Sequence, residues 1–250
     1  MDWRGRRRSA NVEDRRRMTP ARGAVGGGLG TLVLVVLFLL MGGDPSTLLS
    51  MVETSPQVSS QQSAPRSPEE DQLAEFVSVV LAETEDVWNV LLPQQEGVQY
   101  RNPTLVLFSG AAQSACGYAS AAMGPFYCPA DEKVYIDLSF YDDLRKRHHA
   151  PGDFAQAYVI AHEIGHHVQK ILGISDQVHA QRSRLSKADY NQLSVRLELQ
   201  ADFLAGVWAH HADRTAGILE PGDIQEAITA ASAIGDDRLQ REAQGYVVPD

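Results

Sequence analysis

His162-Glu163-Ile164-Gly165-His166 is an H-E-x-x-H sequence inside a stretch, Asp153–Leu172, that reads as one long helix with Gly173 as its stop. Residues four apart share a helix face, so both imidazoles can reach one ion. Glu163 sits beside them, placed to take a proton from water at that ion. Phe154, Ala157, Tyr158, Ala161 and Val168 give the helix an apolar stripe. Gly165 costs about 1 kcal/mol relative to alanine in a helix interior. It makes sense where another element approaches closely.

The second half of the site lies 32 residues after His166. Glu198 and Asp202 fall in a predicted helix over Asp189–Asp213, whose Leu193, Leu197, Ala201, Leu204, Ala205 and Trp208 form a packing stripe. The two carboxylates share a face that abuts this stripe, where charges need partners. Catalytic zinc commonly has three protein ligands and one open position. That makes His162, His166 and Glu198 the candidate ligands of one Zn²⁺, and Glu163 the candidate general base. Asp202 is expected to accept the free ring N–H of a ligand histidine and so fix its tautomer. The chemistry is metal-assisted hydrolysis, with Glu163 taking the proton of the attacking water and passing it to the leaving amine. Lys133–Leu138 is the candidate edge strand for presenting an extended peptide.

Other residues read as ordinary structure. His167 faces about 100° away from His166 and reads as a surface residue or one behind the ligands. His148-His149 and His210-His211 read as solvated helix ends, and His179 has no partner at ligand spacing. Tyr127, Tyr135 and Tyr158 could stabilise an oxyanion, but core packing is the simpler role. Cys116 and Cys128, 12 residues apart, are permitted to pair outside the cytoplasm and remain two thiols within it.

The elements that must position these groups are mostly helical. Apolar spacing predicts a helix from Leu73 that ends before Pro93, strands at Thr104–Phe108 and Lys133–Leu138, a short helix at Phe140–Arg147 and a last helix at Pro221–Ile234. Few strands and several long helices make an α+β domain dominated by helix, with a small β-sheet.

The chain before it has a different character. The 250 residues carry a net charge of −10, but residues 1–23 hold eight arginines against three acids, a net +5. The rest holds 14 bases against 29 acids, a net −15. So acidic a body repels phosphates, which excludes nucleic acid as its partner. Residues 24–43 are 20 residues without a charge, about the ~30 Å needed to cross hydrocarbon. Gly42-Gly43-Asp44-Pro45 is a poor cleavage site for a signal peptide, so an uncleaved transmembrane helix is the favoured reading. The arginines then read as a topology signal. This gives a cytoplasmic segment 1–23, a span 24–43 in contact with the lipid bilayer, a Ser/Gln/Pro-rich linker 44–68 and an extracytoplasmic metallopeptidase domain 69–250 in a single-pass membrane protein.

HEIGHHVQ at 162–169, ELQADFLAG at 198–206, CGYASAAMGPFYCPADEKVYID at 116–137 and the basic-plus-apolar N-terminus together resemble the bacterial neutral zinc metallopeptidase family of membrane-anchored enzymes. The resemblance runs the length of the chain. It implies a zincin-like domain, zinc on His162, His166 and Glu198, Glu163 as base and pairing of Cys116 with Cys128. Members usually continue past the residues matching Gly245–Asp250 into a segment with a His-Gly pair and a Trp-Phe pair, which would leave 69–250 a domain lacking its C-terminal segment.

Two further functions compete with cleavage of a peptide or protein substrate. One is a non-catalytic, zinc-stabilised interaction domain tethered to the membrane, which binds zinc and cleaves no peptide. The other is hydrolysis of a non-peptide bond such as a cell-wall amide.

Overall fold

The computed structural model describes residues 1–17 and 67–235. The expected span 24–43, most of the linker 44–68 and the end of the chain from 236 lie outside the described residues. Among those described, no helix is long and apolar enough to cross a membrane.

The elements run β1 (Val12–Asp14), α1 (Pro68–Glu96), β2 (Thr104–Phe108), β3 (Ala111–Ser114), β4 (Gly117–Ser120), β5 (Phe126–Cys128), β6 (Lys133–Asp137), α2 (Phe140–Lys146), α3 (Asp153–Ile171), α4 (Ile174–His179), α5 (Lys187–Ala216) and α6 (Asp223–Ile234). This is the helix-dominated α+β class expected. The main sheet has the order β1-β2-β6-β5, and β3 and β4 form a separate antiparallel pair. β1, β2 and β6 are parallel, and β5 is antiparallel to β6. α1 starts on a capping box between Ser67 and Glu70. It runs past Pro93 to Gly97, a turn further than the proline suggested, because a proline removes one helix N–H while Gly97 supplies the left-handed stop. Cys116 and Cys128 are joined in a disulfide.

The largest correction concerns the basic segment. Residues 1–17 are part of the folded unit. Val12 stands opposite Leu105 and Asp14 opposite Leu107 in a parallel ladder. Leu105 N–H donates to the Asn11 carbonyl at 2.8 Å, and Ser9 N–H donates to Ser78 at 2.9 Å. The arginines have protein partners: Arg7 holds Glu85 and Asp86 on α1, and Arg16 holds Asp14 and Asp71. Glu85, only 3% exposed, also accepts from Ser9 and Asn11. A carboxylate buried this deeply is viable only with such partners. Acids of the domain, rather than lipid headgroups, neutralise these arginines. A strand hydrogen-bonded to β2 also shares β2's compartment. The expected arrangement, with the basic end on one side of a bilayer and the folded domain on the other, does not combine with this sheet.

Lys133–Leu138 is a strand as expected, but not an edge. β6 lies between β2 and β5, with both flanks hydrogen-bonded. Among the described residues the edges of this sheet are β1 and β5.

Two contacts aim the H-E-x-x-H helix, α3. Glu226 on α6 accepts the Phe154 N–H at 3.1 Å and caps the first turn of α3. Gly152, at φ 117°, leaves room for that carboxylate: a Cβ there would lie 2.0 Å from a Glu226 oxygen. Further along, α3 and α5 cross where Gly165 meets Ala201. A Cβ on Gly165 would stand 2.9 Å from the Ala201 carbonyl oxygen. The close neighbour that a helical glycine implied is the helix carrying Glu198 and Asp202. Phe154 of α3 stacks on Trp208 of α5, their ring centroids 5.9 Å apart, and anchors the same pair of helices.

Candidate metal centre

The crossing of α3 and α5 brings His162, His166 and Glu198 together, with one donor atom from each within 4.8 Å of the others. His162 Nε2 is 3.3 Å and His166 Nε2 is 3.2 Å from Glu198 Oε2. Ligands about 2.0–2.2 Å from a tetrahedral zinc stand roughly 3.3–3.6 Å apart, so both histidine–glutamate separations suit that ion. Nitrogen and carboxylate donors in this number also suit zinc by type.

Asp202 lies one turn beyond Glu198 and accepts from His162 Nδ1 at 2.7 Å. The same carboxylate oxygen accepts the Tyr158 hydroxyl. Tyr158 was read as core; its ring is buried, but its hydroxyl reaches the site. Its position one turn before His162 on the same face was the available signal. His166 Nδ1 lies 3.0 Å from Gln169 Oε1, a partner that sequence reasoning missed.

Electrostatics mark this as a place that favours a cation. Burial pushes the Glu198 carboxyl upward, but hydrogen bonds from His162 and His166 outweigh it and hold it down at about 2. Burial lowers the His162 pKa, yet Asp202 and Glu198 accept its ring protons and bring it up to about 10. Glu163 is buried next to them. Burial raises its pKa, opposed by the two imidazoles.

The cleft over these residues has a volume of about 320 Å³. Pro125, Phe126 and Tyr127 line it from the β5 side, and Ala231 and Ile234 of α6 line it from the other. His167 is neither ligand nor surface residue: it is fully buried. Its Nε2 donates to the Arg101 carbonyl at 2.6 Å, which leaves Nδ1 to accept from the Tyr127 hydroxyl at 2.9 Å. Burial lowers its pKa and keeps the ring neutral. His167 therefore fastens the edge strand beside the metal centre. His148 is likewise buried, against Phe140, and not the solvated residue expected. His210 is exposed, as expected, and His179 is exposed too.

Two histidines and a glutamate on crossing helices, beside a buried glutamate and an open cleft, could hold one metal ion. The chain belongs to the family described as "Putative neutral zinc metallopeptidase", which matches residues 1–250. It is 49% identical over 256 residues to "Uncharacterized protein YpfJ" of Escherichia coli (strain K12), an alignment covering 100% of this chain and 88% of that protein. It is 43% identical over 174 residues to "Uncharacterized protein Rv2575" of Mycobacterium tuberculosis (strain ATCC 25618 / H37Rv), covering 66% of this chain and 56% of that one. No solved structure matches it significantly.

Proposed function

We propose that the protein is a zinc-dependent peptidase with a zincin-like site, hydrolysing peptide bonds with Glu163 as general base. The observation carrying this reading is the convergence of His162, His166 and Glu198, with both histidine–glutamate separations suited to a tetrahedral ion and Glu163 buried beside it. When bound, zinc supplies a Lewis acid that polarises a carbonyl and makes water more acidic. Glu163 takes the proton of the attacking water and delivers it to the departing amine. Asp202 holds the His162 ring, with Tyr158 sharing its charge. The free edge of β5 offers backbone groups to an extended substrate.

The test is metal content and cleavage of casein or a peptide library. The expected result is one zinc per chain, cleavage lost on chelation and restored by zinc. Chelation is also expected to remove about 4 kcal/mol of stability if zinc was present at ~1,000 times its Kd, read as a lower melting temperature. Stoichiometric zinc with no bond cleaved in the library would reject the peptidase reading in favour of the interaction domain. Cleavage confined to added muropeptides would favour the cell-wall amide.

Residues 1–17 and 67–235 lie together on the extracytoplasmic side of a lipid bilayer. Support comes from β1 pairing within the domain sheet and from the Cys116–Cys128 disulfide, which suits an oxidising compartment. In intact cells, a membrane-impermeant thiol reagent is expected to label Arg4→Cys and Gln192→Cys alike. Labelling of only one would overturn the shared side, and labelling of neither before lysis would overturn the extracytoplasmic placement.

A further inference from the structure

Gln169 is a side chain that joins the two halves of the metal centre. It is completely buried, three residues after His166 on α3. Its Nε2 lies 2.7 Å from the Leu197 carbonyl and 3.1 Å from Gln200 Oε1, both on α5. Leu197 immediately precedes Glu198. A peptide carbonyl can only accept a hydrogen bond, so the amide nitrogen must face it. That orientation turns Oε1 toward His166, 3.0 Å from Nδ1. An amide oxygen needs a donor, so Nδ1 carries the ring proton. With zinc bound, Nε2 would then present its lone pair to the ion, on the side that faces Glu198.

We propose that Gln169 is a positioning residue through which a backbone carbonyl of α5 sets the tautomer and ring plane of His166. The inference rests on the metal-site reading above. One amide thereby ties a ligand on α3 to the turn that carries the ligand on α5. The two histidines are supported unequally: His162 faces the carboxylate of Asp202, and His166 faces a neutral amide. The neutrality follows from the surroundings. A carboxylate at position 169 would turn one oxygen toward His166 and the other against the Leu197 carbonyl, which can only accept, with no proton between them.

The test uses the full chain loaded with zinc. Long-range ¹H–¹⁵N spectra are expected to show His166 protonated at Nδ1, with that proton protected from solvent exchange. Gln169→Leu is expected to keep a cooperative melt, lose the protection and weaken zinc binding by about 10–100-fold in chelator competition. The visible spectrum of its cobalt-substituted form should shift with it. Gln169→Glu is expected to weaken zinc as well, although a carboxylate is the stronger acceptor for His166. Tighter zinc binding by Gln169→Glu would overturn the proposal, because the tie to α5 would then be dispensable. So would a folded Gln169→Leu with unchanged zinc affinity. If Gln169→Leu fails to fold, the wild-type spectrum still decides: a proton on Nε2, or an unprotected one on Nδ1, overturns the assignment. No arm reads cleavage. A chain that binds zinc in this way but cuts no peptide rejects the peptidase reading and leaves the role of Gln169 standing.

Discussion

Replacing Glu163 with glutamine is expected to cut peptide hydrolysis by about 10²–10⁴-fold, the usual worth of a positioned general base, while the chain still binds one zinc. Glutamine has the shape of glutamate and cannot take a proton from water. The donor atoms that converge belong to His162, His166 and Glu198, so the ion loses no ligand. Substrate contacts from β5 and α6 are untouched, so the loss should fall on kcat with KM little changed. The environment of Glu163 suits the role. Burial raises its pKa toward the range where a carboxylate both accepts and returns a proton, while the two imidazoles oppose that rise. The measurement is kcat and KM on one defined peptide, with zinc content determined on the same samples. Undiminished zinc-dependent turnover in Glu163→Gln would place the base elsewhere in the cleft.

The parts of this site legible in the sequence are those fixed by local geometry. His162 with His166, and Glu198 with Asp202, stand four apart, and a helix puts such pairs on one face whatever the tertiary fold. Gly165 was legible as a close approach because an alanine would be the cheaper choice without one. The parts that stayed hidden depend on partners distant in the chain. β1 and β5 have three residues each, too few for an alternating pattern to emerge. The arginines of residues 4–17 look like a topology signal because the acids that neutralise Arg7 lie 78 and 79 positions away. Gln169 and His167 are polar residues among apolar ones on α3. Nothing in the sequence shows that the carbonyls of Leu197 and Arg101 await them.

Two glycine-to-alanine changes on the crossing helices are expected to move stability in opposite directions. Helix propensity alone favours alanine at either position by about 1 kcal/mol. At Gly206 on α5 an added Cβ meets nothing within 4 Å, so the gain should appear as a higher melting temperature. At Gly165 the Cβ would stand 2.9 Å from the Ala201 carbonyl oxygen, 3.0 Å from its Cα and 3.2 Å from its Cβ. Two of these three are backbone atoms that no rotamer change can move, so the helices themselves must part. Overfilling a packed contact costs about 1–3 kcal/mol, enough to reverse the propensity gain. The displacement also falls on the metal centre, because Ala201 lies between Glu198 and Asp202 on the same turn. Gly165→Ala should therefore lower the melting temperature of the zinc-free chain and weaken zinc binding as well. Gly206→Ala, whose Cβ meets no neighbour, should leave zinc affinity near wild type. The deciding measurement is a set of melts with and without zinc for the two variants and wild type, with chelator competition on each. A Gly165→Ala chain as stable as wild type, with equal zinc affinity, would mean that the helices cross less tightly than this packing requires.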